Sequence, residues 1–233
     1  YGNSEEVLGE AGVGDFQIIT KTTPLKNNEV NDVIDNFHKS LKNLNMDKVS
    51  GLLVHDVSDV ENKKFDILYK KIIELKQQGL INKIGFSTYT PEHVDFLLKN
   101  FDFDLIQVPF NIFDNRLIQG SQLKALNNKG IEVHARSIFL QGILLDFKNL
   151  SYYFSTWKKE FNDYQEMVKD SGSSLIEYAL NYVLNVEEIE TVLVGVNSKV
   201  QLADIVNAAK KQTATNVFAI DDLNLLNPSR WKV

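Results

Sequence analysis

Three side chains of the kind that move protons stand at intervals along the first quarter of the chain: the phenol of Tyr1, the ammonium of Lys21 and the imidazole of His55. A free phenol has a pKa of about 10, and a neighbouring ammonium lowers that pKa by favouring the phenolate. Such a pair can protonate a developing alkoxide, while an imidazole can hold a carbonyl oxygen by a hydrogen bond. The three residue types therefore suit the reduction of a carbonyl group, provided that a hydride donor binds nearby.

Each of these residues also has a purely structural interpretation. A lysine at the end of a strand is usually a surface charge, a buried histidine is usually a satisfied core residue, and a tyrosine before Gly-Asn-Ser usually packs in a turn. The catalytic interpretation gains weight only if neighbouring strands bring Tyr1, Lys21 and His55 together.

The elements that could do so are visible in the hydrophobic pattern. Six short apolar runs occupy residues 17–20, 51–54, 83–86, 105–106, 131–135 and 191–194. Helical periodicity or capping signals mark the segments that start near residue 4 and those at 30–44, 65–79, 91–101, 122–129, 175–184 and 198–210. Alternating strands and helices indicate parallel β/α units, whose reactive groups gather at the carboxyl ends of the strands. We therefore predict an α/β fold with one shared pocket.

The number of strands leaves two architectures open. Six strands cannot close an eight-stranded barrel, and an open sheet leaves exposed edges. The chain is then either a six-stranded open α/β protein or a barrel with two β/α units before Tyr1. No linker, repeat or low-complexity stretch is visible, so we predict a single domain over residues 1–233.

Composition narrows the class of protein. The formal net charge is −6 and the pI is about 5.3, and paired lysines lie on amphipathic helices, so we expect no nucleic-acid partner. The absence of cysteine excludes disulfides and thiolate metal sites. No apolar run approaches the roughly 20 residues that span a bilayer. We expect a cytoplasmic protein without a membrane or metal partner.

Five motifs, in order along the chain, resemble the aldo-keto reductases. They are YGNSE at 1–5, TKT at 20–22, LLVHD at 52–56, IGFS at 84–87 and IQVPFN at 106–111, and the resemblance continues to VGVNS at 194–198. The segment ARSIFLQG at 135–142 is similar to a bacterial subgroup. The resemblance implies a (β/α)8 TIM barrel, with about six of its eight β/α units in this chain. It also implies NAD(P)H-dependent reduction of an aldehyde or ketone, a small-molecule substrate.

The resemblance also assigns roles to residues. Tyr1 would be the proton donor, Lys21 would tune its pKa and His55 would orient the carbonyl. The family's catalytic Asp would precede Tyr1. The cofactor-binding positions would be Ser87, Thr88, Gln107, Arg136, Ser137, Leu140, Gly142, Gly195, Asn197, Ser198, Lys199, Gln201 and Asp204.

Three positions depart from the family pattern. Thr88 stands where Asn is common, Arg136 replaces the ring-stacking Tyr, and the basic residue expected near Gln201 is absent, although Lys199 could replace it. We expect NADPH as the cofactor, with NADH possible. The carbonyl substrate and the oligomeric state are not readable from the sequence.

Two rival functions stay open. One is a non-catalytic NAD(P)H-binding sensor or regulatory subunit, and the other is a different barrel enzyme that uses Lys21 as a Schiff-base amine.

Five further residues have structural expectations. Asp56 could assist His55 or accept backbone hydrogen bonds, and the second role is the one expected. Asn111 should line the pocket or brace its loop, and His134 should pack or hydrogen-bond within a strand. Trp157 and Trp231 should be packing residues, although Trp231 could reach the pocket mouth.

Overall fold

The computed structural model describes residues 2–232, in which six strands follow one another in the sheet in the order of the chain. The chain divides into two compact units, one ending at Gln107 and the other beginning at Val108. Each unit is described by itself below. The prediction of a single domain is not tested by this division and stays a prediction.

The first unit is built on parallel strands. They are β1 (Ile19–Lys21), β2 (Val49–Val54), β3 (Ile81–Ser87) and β4 (Leu105–Pro109), whose last two residues belong to the second unit. In the register, Lys21 lies opposite Leu53, Leu53 opposite Gly85, and Gly85 opposite Leu105. Because successive side chains alternate between the two faces of a sheet, this register decides which polar residues share a face.

Four helices accompany these strands: α1 (Ser4–Ala11), α2 (Val30–Asn43), α3 (Phe65–Gln77) and α4 (Pro91–Asn100). Helix α4 begins as predicted, with Pro91 in its first turn and the Thr90 hydroxyl accepting a hydrogen bond from the N–H of His93 at 3.4 Å. Gly79, with a φ of +77°, follows α3 and supplies the left-handed conformation that ends many helices.

An aromatic cluster fills the space between β3 and helices α3 and α4. Phe86 packs against Phe65, Tyr69, Phe101 and Phe103, with ring centroids 5.3–6.4 Å apart. The Tyr69 hydroxyl donates a hydrogen bond to the backbone carbonyl of Asp102, and burial raises the pKa of this phenol far above its usual value. The cluster therefore anchors both helices to the strand that ends at Ser87.

The second unit contains two further parallel strands, β5 (Glu132–Arg136) and β6 (Thr191–Val192), with His134 opposite Thr191. Its helices are α5 (Arg116–Gln119), α6 (Gln122–Asn128), α7 (Lys158–Asp170), α8 (Leu175–Leu184), α9 (Lys199–Ala209) and α10 (Leu223–Leu226). Short 3₁₀ turns cover Leu140–Gly142, Tyr152–Trp157 and Pro228–Arg230.

The C-terminal segment is fastened to the 3₁₀ turn before α7. The indole N–H of Trp157 donates to Asp222 at 3.1 Å, and that of Trp231 donates to the backbone carbonyl of Leu225 at 2.9 Å. The Trp231 ring also packs edge-on against Phe154 at 5.0 Å. Both tryptophans are packing residues, as predicted.

All six predicted strands and the predicted helices are present, with boundaries shifted by a few residues. Strand β1 begins at Ile19 rather than at residue 17, and the aromatic-rich segment from residue 150, for which the sequence indicated no element, forms a 3₁₀ turn and α7. Among the described residues, no helix is both long and apolar enough to cross a membrane.

Candidate functional site

Lys21 and His55 point to the same face of the sheet in the first unit. Lys21, the last residue of β1, lies opposite Leu53 in β2, and His55 comes two residues after Leu53. Residues two apart in an extended chain share a face. The side chains that the sequence predicts to be a pKa-tuning ammonium and a carbonyl-orienting imidazole are therefore on one side of adjacent strand ends.

The same face continues across β3 and β4. Val54 pairs with Phe86, so the next residue along each chain places His55 beside Ser87, and Ser87 pairs in turn with Gln107. Lys21, His55, Ser87 and Gln107 thus form a row on one face toward the carboxyl edge of four consecutive strands, in which His55, Ser87 and Gln107 are in register, Lys21 lies one step earlier and Gln107 is at the middle of β4. This edge is where parallel β/α folds carry their chemistry.

Thr22 fixes the first two members of this row to each other. Its backbone N–H donates to the carbonyl of Leu53 at 2.8 Å, and its hydroxyl accepts from the N–H of His55 at 3.3 Å. Next to His55, the Asp56 carboxylate accepts from the N–H of Ser58 at 2.9 Å, the structural role predicted for it. Sequence reasoning missed Thr22, whose place directly after Lys21 was the available signal.

Ser87 and Gln107 are buried polar side chains, 3% and 6% exposed. Within the part of the chain that the structure describes, neither side chain forms a hydrogen bond to protein. A hydroxyl beside a carboxamide can both donate and accept, so the pair suits a bound group that carries its own donor and acceptor, such as a carboxamide. The next residue, Thr88, is fully buried, side chain included. Its N–H donates to the carbonyl of Gln107 at 3.0 Å.

A second carboxylate, that of Asp59, lies in the 3₁₀ turn Val57–Glu61 after β2. Asp59 is 3% exposed, and both of its oxygens accept from the N–H of Leu25 at 3.0 Å. Burial raises the pKa of Asp59, while the backbone N–H groups of Leu25 and Lys26 act in the opposite direction. Sequence reasoning did not single out Asp59.

Tyr1, the predicted proton donor, lies outside the described residues. Its role stays a prediction from the sequence.

In the second unit, the loop after β5 has an unusual backbone. Ser137, Leu140 and Gln141 have φ values of +59°, +45° and +56°, and Gly142 has +91°. Positive φ in non-glycine residues is uncommon and is concentrated at functional sites. The N–H groups of Leu140 and Gly142 donate to the carbonyls of Ser137 and Phe139 at 2.9 Å, which holds the loop in this conformation. Sequence reasoning passed over Gln141.

Asn111 supports this loop from the segment after β4. Its Nδ2 donates to the carbonyl of Ser137 at 3.2 Å, and its Oδ1 accepts from the N–H groups of Phe113 and Asp114 at 3.0 Å. Of the two roles predicted for Asn111, the structure shows that it braces the loop. Its three bonds help to hold Ser137 in the left-handed conformation.

Arg136 and His134 share a face of β5. Arg136, at the end of the strand, is half-buried, and its guanidinium reaches the Ser137 hydroxyl at 3.4 Å. His134 is buried and its Nε2 lies 2.6 Å from the carboxylate of Glu132, a hydrogen bond within the strand as predicted. Arg136 is therefore the member of this face that stands nearest the loop.

The turn from β6 into α9 has the features of an anion site. The Ser198 hydroxyl accepts from the N–H of Gln201 at 3.1 Å, and Gln201 Oε1 accepts from the N–H of Asn197 at 2.7 Å. This reciprocal capping leaves the first turn of α9 ordered with its positive dipole end exposed. No atom lies within 4 Å of the position of a Cβ on Gly195, so the backbone there is open to a ligand.

Charge at this turn is sparse. Lys199 and Asp204 are both exposed, and Gln201 uses its carboxamide oxygen to cap the turn. The donor set at this turn fits a phosphate-containing ligand, since helix N-termini with open glycine backbone favour anions.

The sequence is similar to known proteins over most of its length. The model of the aldo/keto reductase family matches residues 1–224. This chain belongs to the aldo/keto reductase family. The uncharacterized oxidoreductase YqkF of Bacillus subtilis is 27% identical over 189 residues, which cover 76% of this chain and 60% of that relative. The chain thus spans less than two thirds of the length of this curated relative.

Solved structures agree on the fold of this aldo/keto reductase. The apo form of aldo-keto reductase AKR11C1 from Bacillus halodurans is 24% identical with a TM-score of 0.76, covering 91% of this chain and 72% of that one. The holo form gives a TM-score of 0.75 at 24% identity, over 91% of this chain and 73% of that one. The glycerol dehydrogenase AKR11B4 from Gluconobacter oxydans gives 0.71 at 18% identity, with 91% and 73% covered.

These likenesses confirm the predicted fold class and family. The chain has an α/β fold of the TIM-barrel type, with six of the barrel's strands. The open six-stranded α/β fold, the other architecture considered from the sequence, is not the one that the relatives share.

Proposed function

We propose that this protein reduces an aldehyde or ketone to an alcohol with NAD(P)H. The observation that supports this proposal most directly is the row of Lys21, His55, Ser87 and Gln107 on one face of four consecutive strands in the first unit. An ammonium, an imidazole and a buried hydroxyl–carboxamide pair on one face are the side chains that carbonyl reduction requires.

In this mechanism each residue has one task. When bound, a reduced nicotinamide nucleotide supplies the hydride that adds to the carbonyl carbon. The His55 imidazole holds the carbonyl oxygen by a hydrogen bond and so stabilises the negative charge that develops there. The Tyr1 hydroxyl donates its proton to that oxygen, and the Lys21 ammonium stabilises the phenolate left behind.

The remaining residues would hold the cofactor. The Ser87 hydroxyl and the Gln107 carboxamide would hold the nicotinamide carboxamide, because the two residues are paired in the sheet and together can donate and accept hydrogen bonds. Ser137, Leu140 and Gly142 would follow the pyrophosphate, as would the turn of Gly195, Asn197 and Ser198 that precedes α9. Thr88 would support the nicotinamide end of the cofactor through its backbone, which holds Gln107.

The choice between NADPH and NADH depends on few charges. Lys199 is exposed at the start of α9 and could pair with a 2′-phosphate, whereas the Asp204 carboxylate would repel one. Because the carboxamide oxygen of Gln201 accepts from Asn197, only its amide nitrogen would be left for the adenosine. We propose NADPH, with Lys199 as its discriminating contact, and NADH as a second possible cofactor. Arg136 would stack on the nicotinamide with its planar guanidinium.

The decisive experiment measures NADPH and NADH oxidation by the full chain against a panel of aldehydes and ketones, for wild type and Tyr1→Phe. Loss of a general acid should reduce turnover about 100-fold or more, while the dissociation constant of the cofactor should stay within about twofold. Tyr152→Phe is the matched control, because that phenol is 92% exposed, and it should retain wild-type turnover.

Other outcomes would redirect the proposal. Undiminished activity in Tyr1→Phe contradicts the role given to Tyr1. Cofactor binding without oxidation in wild type would favour a non-catalytic NAD(P)H sensor. Trapping of a Lys21–substrate adduct by borohydride would favour Schiff-base chemistry instead.

A further inference from the structure

Asp59 occupies an uncommon place for a carboxylate. It belongs to the 3₁₀ turn Val57–Glu61 that follows β2, it is 3% exposed, and it accepts the N–H of Leu25 with both oxygens at 3.0 Å. Leu25 itself is buried and begins the 3₁₀ turn Leu25–Asn27 after β1. The carboxylate therefore ties the loop that follows Lys21 to the loop that follows His55.

Other contacts also join these two loops, among them the ion pair of Lys64 and Glu29 at 2.6 Å. Thr22 already joins them, because its N–H donates to Leu53 and its hydroxyl accepts from His55. Lys21 and Leu25 are only four residues apart, so the backbone between them is held at both ends: by Thr22 next to the strand and by Asp59 at the turn. Loss of the Asp59 tie would release the Leu25 turn itself, whereas the bonds of Thr22, the Asn36–Thr23 bond at 3.4 Å and the Lys64–Glu29 pair would remain.

The free-energy cost of burying the Asp59 carboxylate, together with its place between the two loops, indicates a role beyond stability. Burial of a carboxylate is expensive unless hydrogen bonds satisfy it. Here the donors are backbone N–H groups rather than a buried cation, and Asp56 on the same turn adds a like charge. A buried amide or hydroxyl could accept the same N–H at lower desolvation cost. The carboxylate is nonetheless placed between the two loops that carry the proposed ammonium and imidazole.

We propose that Asp59 is a positioning residue that fixes the Lys21 ammonium and the His55 imidazole relative to one another by holding the Leu25 turn. This inference rests on the proposed function of Lys21 and His55. Misplacement of reacting groups by about 1 Å can cost up to about 100-fold in rate, so a brace of this kind acts on turnover more than on cofactor binding. The residues proposed to bind the pyrophosphate and adenosine, from Arg136 to Asp204, belong to the other unit.

The test compares Asp59→Ala and Asp59→Asn with Glu61→Ala in the full chain. Glu61 is exposed on the same 3₁₀ turn and serves as the matched control. Asp59→Ala should lower kcat for carbonyl reduction about tenfold or more, with the NADPH dissociation constant within about twofold of wild type. Asp59→Asn keeps one oxygen that can accept from Leu25 and should recover kcat to within about threefold of wild type. Glu61→Ala should match wild type.

Two results would overturn the inference. One is wild-type kcat in Asp59→Ala. The other is a fall in thermal stability with kcat and NADPH affinity lost in parallel, which describes a structural residue only.

Amide hydrogen exchange separates this inference from the proposed function. In Asp59→Ala, exchange should increase at Leu25 and also at His55, because the two loops loosen together. If wild type has no reductase activity, the proposed function fails, and exchange still decides the positioning role: an increase confined to Leu25 overturns it. Should Asp59→Ala fail to fold, the same exchange measurement on Asp59→Asn decides in the same way.

Discussion

Gly85 in β3 lies so close to Leu105 in β4 that no side chain fits between them. A methyl group built on Gly85 would overlap the carbonyl oxygen of Leu105 and would lie 2.7 Å from Cδ2 of Leu53. On the same face, Cδ2 of Leu105 lies 3.1 Å from the position of a Cβ on Gly51. Two glycines thus leave the space that the Leu53 and Leu105 side chains fill, level with Lys21 and one layer below His55, Ser87 and Gln107.

We expect Gly85→Ala to destabilise the protein strongly. The added methyl group must displace a backbone carbonyl and a packed leucine, and such overpacking should cost about 3 kcal/mol or more. Urea unfolding followed by circular dichroism measures the loss. Gly14→Ala is the control, because no atom lies within 4 Å of that position and its φ is not in the left-handed range, so its effect should be small. Equal stability of the two variants would contradict the close approach at Gly85.

A pH-dependent contribution to stability is expected from Glu177. The carboxylate pairs with Lys211 and accepts from the N–H of Ser174 at 3.1 Å, completing the capping box of α8. These partners, Lys211 first, lower the pKa of Glu177. A lowered pKa in the folded state adds stability above the pKa of the unfolded chain, and that stability is lost as the pH falls through the folded value.

We therefore expect Glu177→Gln to be less stable than wild type at pH 7 and to approach it near pH 3. The Lys211 side chain is 60% exposed, so solvent screens the pair and the difference at pH 7 should stay below about 1 kcal/mol. Urea titrations at the two pH values provide the measurement, with exposed Glu166→Gln as the control. A difference that grows at low pH would be opposite in sign and would show that Lys211 and Ser174 do not favour the carboxylate.

Lys199→Ala should separate the two nicotinamide cofactors. If the Lys199 ammonium pairs with the 2′-phosphate, its removal should weaken NADPH binding about fivefold, which corresponds to roughly 1 kcal/mol for an exposed ion pair, and should leave NADH binding unchanged. Fluorescence titration gives both dissociation constants. Lys210→Ala, an exposed lysine just beyond α9, is the control for net charge. Equal weakening of both cofactors would show that Lys199 does not distinguish them.

The sequence alone determined the order and type of the elements, because hydrophobic periodicity and caps are local properties. Thr90 and Pro91 marked the start of α4, and the strand that ends at Ser87 was recognisable from its apolar run. The family motifs also assigned Lys21, His55, Ser87 and Gln107 to one site. The unassigned segment 150–168 shows the limit, since its aromatic residues pack against partners distant in the chain, as Trp157 does with Asp222.

Only the tertiary structure decided which backbone groups hold those side chains in place. The ties from Asp59 to Leu25 and from Asn111 to Ser137 join residues 34 and 26 positions apart, and no local pattern encodes them. The same holds for the left-handed φ of Leu140 and Gln141, which the loop imposes on residues that would not choose it unaided. A motif names the chemical groups of a site, whereas long-range hydrogen bonds and packing fix their positions, and these form only once the chain has folded.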